Sequence, residues 1–318
     1  MGPAIPPLTS PEMPRLLLVA NPLASGFTGA THREVMSILS ESFEADSVWP
    51  NNPAESQEAS AKAAADGVDV VVAMGGDGVV HHVANGIAHS DTALGIIPSG
   101  TTNVLARILG LPGKPIPAAR FLAGAPPQHR IALARVDATG PSGRLSGYAV
   151  FAAGLGLDAE VVRQAETTPH RKVWFGGLHY ARSAGWMFLS KFRKRVPTMR
   201  ATSGDHKADA VAVITQIHWP YTYFGRTPLR ITPHPVTGLS SLIIGEIPPA
   251  RAIGLAATAV AGRGLERVPG MSVWAGIDEL AVSADPPAWF QADGELLGQL
   301  SELHLRFAPD ALAVMAPR

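Results

Sequence analysis

The chain has 318 residues, 46% hydrophobic and 16% charged, with 26 basic side chains against 26 acidic ones and no cysteine. Such a composition builds a globular core and excludes a disordered chain, a disulfide scaffold, thiol catalysis and zinc–thiolate sites. A formal net charge of zero offers no global field to nucleic acid, so no nucleic-acid partner is expected. The length allows two domains. No run approaches the roughly 20 apolar residues of a membrane helix. The N-terminal MGPAIPPLTSPEMP lacks the basic and apolar regions of a signal peptide, so a cytoplasmic setting is expected, with contact to a membrane surface left open.

In chain order, the first 130 residues alternate strand, loop and helix. The apolar run from Arg15 predicts a buried strand that breaks at Asn21-Pro22-Leu23-Ala24-Ser25-Gly26. A helix follows, with Thr31 as its expected cap and Glu34 three positions on. Val48-Trp49 marks a weaker strand, and Asn52, Pro53 and Glu55 read as N-cap, first-turn proline and third-position acid of the next helix. Val68 to Met74 predicts a third strand and Val79 to Ala88 a helix, with Gly75-Gly76-Asp77-Gly78 between them. Ala93 to Pro98 predicts a fourth strand, closed by Ser99-Gly100-Thr101-Thr102-Asn103 before a helix with Leu105, Ile108 and Leu109 on one face. Nearly all-apolar strands alternating with helices imply a parallel sheet covered on both faces. Beyond Arg130 short alternating runs (IALARVD, YAVFAAG, DAVAVITQIHW, LSSLIIGEI, LAVSAD, LHLRF) imply antiparallel strands, interrupted by helical stretches near 170–195 and at Pro249 to Ala261. The expected architecture is therefore an N-terminal three-layer α/β domain over 13–132, completed by 308–318. A β-rich domain over 133–307 follows, with a cleft between the two.

Three unusual loops leave strand carboxyl ends, and in a parallel sheet such loops share one edge. Glycine-rich turns that open a helix offer unpaired N–H groups and a positive dipole end to an anion. The GGDG and SGTTN turns have that form, while GxxxxGK[ST] and GxGxxG are both absent. A carboxylate at Asp77 would repel phosphate unless a divalent cation sits between them; Asp77 as a turn former or helix cap is the competing expectation.

These motifs resemble the diacylglycerol kinase catalytic-domain family, which includes bacterial lipid kinases and sphingosine kinases. The likeness rests on Asn21-Pro22 with Ser25-Gly26, on GGDG at 75–78 followed by His81, Val83, Asn85 and Gly86, on PSGTTN at 98–103, and on Asp293-Gly294-Glu295. It implies a phosphofructokinase- or NAD kinase-like α/β domain and a β-sandwich domain. It also implies ATP and Mg2+ as cofactors, and transfer of the γ-phosphoryl group to the hydroxyl of a lipid, a diacylglycerol or a long-chain base. Carried over by position, Asn21, Pro22, Leu23, Ala24, Ser25, Gly75, Gly76, Asp77, Gly78, Val79, Val80, His81, Gly100, Thr101, Thr102 and Asn103 would line the nucleotide site. Asp77 would hold the metal with the ATP phosphates, and Glu295 would act as general base. Taken alone, Asp293-Gly294 is a hairpin signal.

The chain departs from the family at several acids. Val79 stands where many members have Thr, His82 where many have Glu, and Val104 and Ala132 where many have Asp. Thr237-Gly238-Leu239-Ser240-Ser241 replaces an Asp-Gly-x-x-Asp turn that binds structural magnesium, so no such metal is expected. A soluble-substrate kinase of the NAD kinase type and a non-catalytic nucleotide- or lipid-binding protein stay open beside the lipid kinase. No acidic residue lies between Glu166 and Asp205, where eight cations from Arg171 to Arg200 interleave with six aromatics. That segment suits an anionic membrane surface or, equally in kind, a solvated helix packed on the β domain. Peripheral membrane association follows from the first alternative, and a homodimer stays open. His81 and His82 diverge by about 100° on a helix and cannot share one ion. Asp158 is expected either at the cleft or as a helix cap.

Overall fold

The structure is a computed structural model and describes residues 13–166, 196–245 and 265–317. The basic stretch over 170–195 and the helix expected at 249–261 lie outside the described residues. The N-terminal region runs β1 (Arg15–Ala20), α1 (Gly29–Leu39), β2 (Glu44–Val48), α2 (Pro53–Ala65), β3 (Val70–Gly75), α3 (Asp77–Ile87), β4 (Ala93–Pro98), α4 (Val104–Ile108) and α5 (Pro115–Ala123). Strands β2, β1, β3 and β4 pair in that order and in parallel.

The period of two along these strands explains the three layers. Leu16, Leu18, Val70, Val72 and Met74 join one core with Val35 and Leu39 of α1 and Leu122 of α5. Val19, Val71, Ala73 and Ile96 join the opposite core with Val80, Val83 and Ile87 of α3. Every residue of β3 and β4 is buried, so alternation is invisible in their sequence and the run reads as uniformly apolar.

The remaining elements are β5 (Gln128–Gly140), β6 (Gly143–Ala149), β7 (Ala152–Gly156), α6 (Leu157–Glu166), β8 (Met199–Ser203), β9 (His206–Ala210), β10 (Ala212–Gln216), β11 (Thr222–Phe224), β12 (Thr227–Leu229), β13 (Leu239–Ile244), β14 (Met271–Ile277), β15 (Glu279–Ala292) and β16 (Glu295–Met315). They pair antiparallel and enclose a second core that includes Val136, Leu155, Val213, Ile243, Val282, Phe290 and Leu303. Strand β16 continues into the first region: Val314 lies parallel to Leu94 of β4, while Leu312 to Met315 pair with Ile131 to Gln128 of β5. The α/β and antiparallel regions thus share one continuous sheet path.

Local chemistry sets the helix starts. Asn52 accepts from the Glu55 N–H at 3.0 Å, and the Glu55 carboxylate reaches back to Asn51 N at 2.8 Å, a reciprocal cap on α2. For α1 the expectation is corrected: the cap is Thr28, not Thr31. Thr28 is extended and its hydroxyl accepts from Thr31 N at 3.0 Å, so Gly29 and Ala30 already belong to the first turn. Replacing the α2 cap, Asn52→Ala, is expected to cost about 1 kcal/mol, read as a lower urea midpoint with an unchanged denaturant slope.

Candidate active site

The three loops meet at the carboxyl edge of β1, β3 and β4. Gly26 N donates to Ser99 O at 2.8 Å, and Ser99 N donates to Gly75 O at 2.9 Å. Asn21 closes the first loop through a side-chain bond from Leu23 N at 2.9 Å. Asn103 closes the third by accepting from Gly100 N at 3.1 Å and donating to Gly100 O at 2.9 Å. Gly76 and Gly100 touch: a Cβ on Gly100 would lie 2.5 Å from the Gly76 Cα, so the third loop tolerates no side chain at that position. Pro22, Leu23, Ser25 and Thr101 are exposed, and Ala24 and Thr102 are partly so. Gly76 begins α3 without a side-chain cap, leaving the first N–H groups of that helix to an outside acceptor. Val79, Val80 and His81 are buried, so their side chains do not form this edge.

Asp77 opens α3, yet its carboxylate works on another helix. Oδ1 accepts from Val104 N at 2.6 Å, capping α4 rather than α3. Withdrawal from water is the largest influence on this carboxyl and lifts its pKa to about 7, against the opposing pull of backbone N–H groups at 103–105. A nearby Asp293 charge adds to the rise. Among the described residues no group of three or more His, Asp or Glu is arranged to hold a metal alone. A single carboxylate suffices for Mg2+ when phosphates supply the other ligands, and Asp77 has the donor chemistry: a carboxyl costly to ionise unless a cation is beside it.

The β15–β16 hairpin supplies the opposite wall. Asp293 and Gly294 both have positive φ, 55° and 87°, the signature of a two-residue type I′ turn. The hairpin expectation and the functional one therefore coincide, because this turn aims the next residue. Glu295 lies against the start of α3, where a Cβ on Gly78 would fall 2.1 Å from its Oε1. Gly78 is the residue type that lets the acid reach the loop.

His82, where many family members carry an acid, places Nε2 4.0 Å from Glu295 Oε2. Burial, helped by His81, drives its pKa down to about 4, so it is neutral near pH 7. His81 and His82 stack edge to face at 4.9 Å, with separate partners and no shared ligand position.

Asp293 itself is buried. Its carboxylate accepts from Val150 N at 2.7 Å, Phe151 N at 2.8 Å and Ala152 N at 3.0 Å, and pairs with His81 Nδ1 at 2.7 Å. Asn85, one turn after His81, accepts from Tyr148 N and donates to Tyr148 O. Helix α3 is thereby fastened to the antiparallel region through two side chains. Sequence reasoning assigned Asp293 no role; its placement directly before Glu295, in a turn that needs no acid, was the available signal. Two open cavities of about 550 and 500 Å3, one beside Asp209 and Glu302 and one beside Arg163 and Trp289, share no residue with this site.

Residues 15–135 match the model of the diacylglycerol kinase catalytic domain. The match is confined to this region, which holds the first two of the three loops and the third between β4 and α4. The chain is 37% identical over 138 residues to the protein named "Probable lipid kinase YegS-like" of Stenotrophomonas maltophilia, covering 42% of either chain. It is 44% identical over 64 residues to the diacylglycerol kinase of Bacillus subtilis, covering 20% of this chain and 21% of that one. The matched part spans about two-fifths of the first relative's length or less of the second's. The structure of a diacylglycerol kinase from Bacillus anthracis superposes with a TM-score of 0.68 at 15% identity, covering 97% of this chain and 98% of that one. That of yeast NADH kinase superposes with a TM-score of 0.50 at 9% identity, covering 97% and 85%. These two likenesses establish the fold alone, an α/β region joined to antiparallel strands.

Two tests address the geometry of this site. The folded state keeps the Asp77 proton up to about pH 7, whereas the unfolded chain releases it near its ordinary value of 3.8. Its contribution to stability is thus full below the lower value and lost as pH rises through the upper one. Asp77→Asn should therefore gain stability relative to the parent between pH 5 and pH 8 in metal-free buffer; a pH-independent difference would contradict the buried carboxyl. Asp293→Asn turns an amide N–H₂ toward backbone donors, and should destabilise by roughly 3 kcal/mol in equilibrium denaturation.

Proposed function

We propose that the protein is an ATP-dependent lipid kinase that transfers the γ-phosphoryl group to a hydroxyl of a diacylglycerol or a long-chain base. The observation that carries this is the meeting of Glu295 with Gly78. It places a carboxylate from the antiparallel region against the phosphate-type edge built by the three loops. The catalytic-domain match and the names of the relatives support the same class of chemistry.

The roles follow from residue types. Backbone N–H groups at Gly76 to Gly78 and the Ser99–Asn103 loop hold phosphate oxygens, with the Thr101 and Thr102 hydroxyls beside them. The Asn21–Ser25 loop forms the flank of the nucleotide site. Asp77 would hold Mg2+ together with the phosphates, and a bound ion would supply charge neutralisation for the transferred group. Cation binding also favours the ionised form of a carboxyl otherwise poised near neutrality.

Glu295 takes the proton of the lipid hydroxyl as the oxygen bonds to phosphorus, while the leaving diphosphate keeps its electron pair. A neutral His82 next to it adds no competing positive charge at neutral pH. Peripheral attachment to anionic membranes would bring the lipid, and no helix among the described residues is long and apolar enough to cross a membrane.

Incubation with radiolabelled ATP, Mg2+ and a lipid panel in anionic vesicles, with NAD as a soluble acceptor, tests the proposal. Label in lipid supports it; label in NAD alone, or ATP binding without transfer, overturns it. Glu295→Gln should lower kcat by about 10² to 10⁴ with ATP affinity retained, and undiminished turnover would remove Glu295 from the role of base.

A further inference from the structure

The turn that carries Glu295 is held from a second side by residues that the phosphate chemistry leaves unused. Gln291, buried in β15, accepts from Gly294 N at 2.9 Å through its Oε1. Its amide nitrogen donates to Asp158 Oδ2, at the start of α6. The same Asp158 oxygen accepts from Tyr221 Oη at 2.7 Å. An acceptor-only carboxylate at 158 forces the Gln291 N–H₂ toward itself, and so turns Oε1 toward the Gly294 N–H.

Tyr221 leads into the short β11–β12 ribbon, and its N–H donates to Leu229 O at 3.0 Å across that ribbon. At the far end, Arg107 of α4 lays its guanidinium 3.6 Å from the centre of the Tyr223 ring, and its Nη1 donates to Gly225 O at 2.8 Å. Helix α4 is the one whose first N–H is capped by Asp77. A closed circuit of contacts results, from Asp77 through α4, Arg107, the ribbon, Asp158 and Gln291 to Gly294, and back through Glu295 to Gly78.

We propose that the β11–β12 ribbon is a strap that couples the phosphate edge to the base-bearing turn, with Asp158 and Gln291 as positioning residues for Glu295. The strap acts through geometry: a shift of α4 when the third loop takes hold of phosphate is passed through the Arg107–Tyr223 clasp to the Gly294 amide. The consequence for turnover rests on Glu295 being the base; the mechanical coupling does not. Burial of Asp158, which raises its pKa, is consistent with a carboxyl held by specific partners rather than by solvent.

The experiment compares the full-length protein with Tyr223→Ala, Arg107→Leu, the double variant and Tyr223→Phe. Two readouts are followed: amide exchange of the peptide containing Gly294, and kcat and KM for ATP in the lipid assay. Breaking the clasp should speed exchange at that peptide and lower kcat by about tenfold with KM nearly unchanged. The double variant should match Arg107→Leu, which alone removes both the ring contact and the bond to Gly225 O. Tyr223→Phe keeps the ring and should restore both readouts to the parent values. Unchanged exchange at Gly294 in Tyr223→Ala overturns the strap, and faster exchange with undiminished kcat overturns its positioning role. Additive losses in the double variant indicate general loosening and likewise overturn it. If the parent shows no lipid turnover, the kinase proposal falls, while the exchange readout still decides the strap.

Discussion

The site depends on one buried carboxylate. Asp293 is withdrawn from water and accepts three backbone N–H bonds and the ring of His81. A charge in that position is tolerated only because each lone pair it turns inward meets a donor. The four donors come from separate parts of the chain: the β6–β7 junction supplies three, and α3 supplies the fourth. Satisfying Asp293 therefore brings the antiparallel region, the turn before Glu295 and helix α3 together at one point. The position of Glu295 against Gly78 follows from that convergence, since only the turn residue Gly294 separates it from Asp293.

Asp77 shows the opposite arrangement of the same chemistry. Its carboxyl has backbone donors on one side, but burial outweighs them and leaves it near neutrality in pKa. Val104 offers its N–H where many relatives have an acidic side chain, and His82 replaces a further acid with a neutral imidazole. The edge where the three loops meet is consequently poor in fixed negative charge and rich in backbone donors.

The edge with its three loops was legible because its signals are local: uniformly apolar runs ending in glycine, asparagine and hydroxyl residues mark strand ends without tertiary knowledge. The α2 cap was legible for the same reason. Helix α5 was not, since Pro115 and Pro117 obscure a helix that in fact begins at the first of them, a position proline favours. The Thr28 cap was missed by one turn because Thr31 offers an equally suitable hydroxyl, and only backbone conformation separates them. The partnership of His81 with Asp293, 212 positions apart, has no local signature at all. Nor does the Asp158–Gln291–Gly294 relay, whose members sit in strands and helix starts that read as ordinary packing.

Strands β5 and β16 run from the antiparallel region into the α/β region, paired with each other on both sides of a register shift between Ala308 and Leu312. Movement at this junction is carried by both strands together. Widening the gap between Glu295 and the loops means twisting a hydrogen-bonded two-strand ribbon, whose resistance is shared over many bonds. The protein thus behaves at this junction as a torsion spring: displacement grows gradually with load and reverses when the load is removed. A carboxylate mounted on such a spring, as Glu295 is, returns to its place after each displacement.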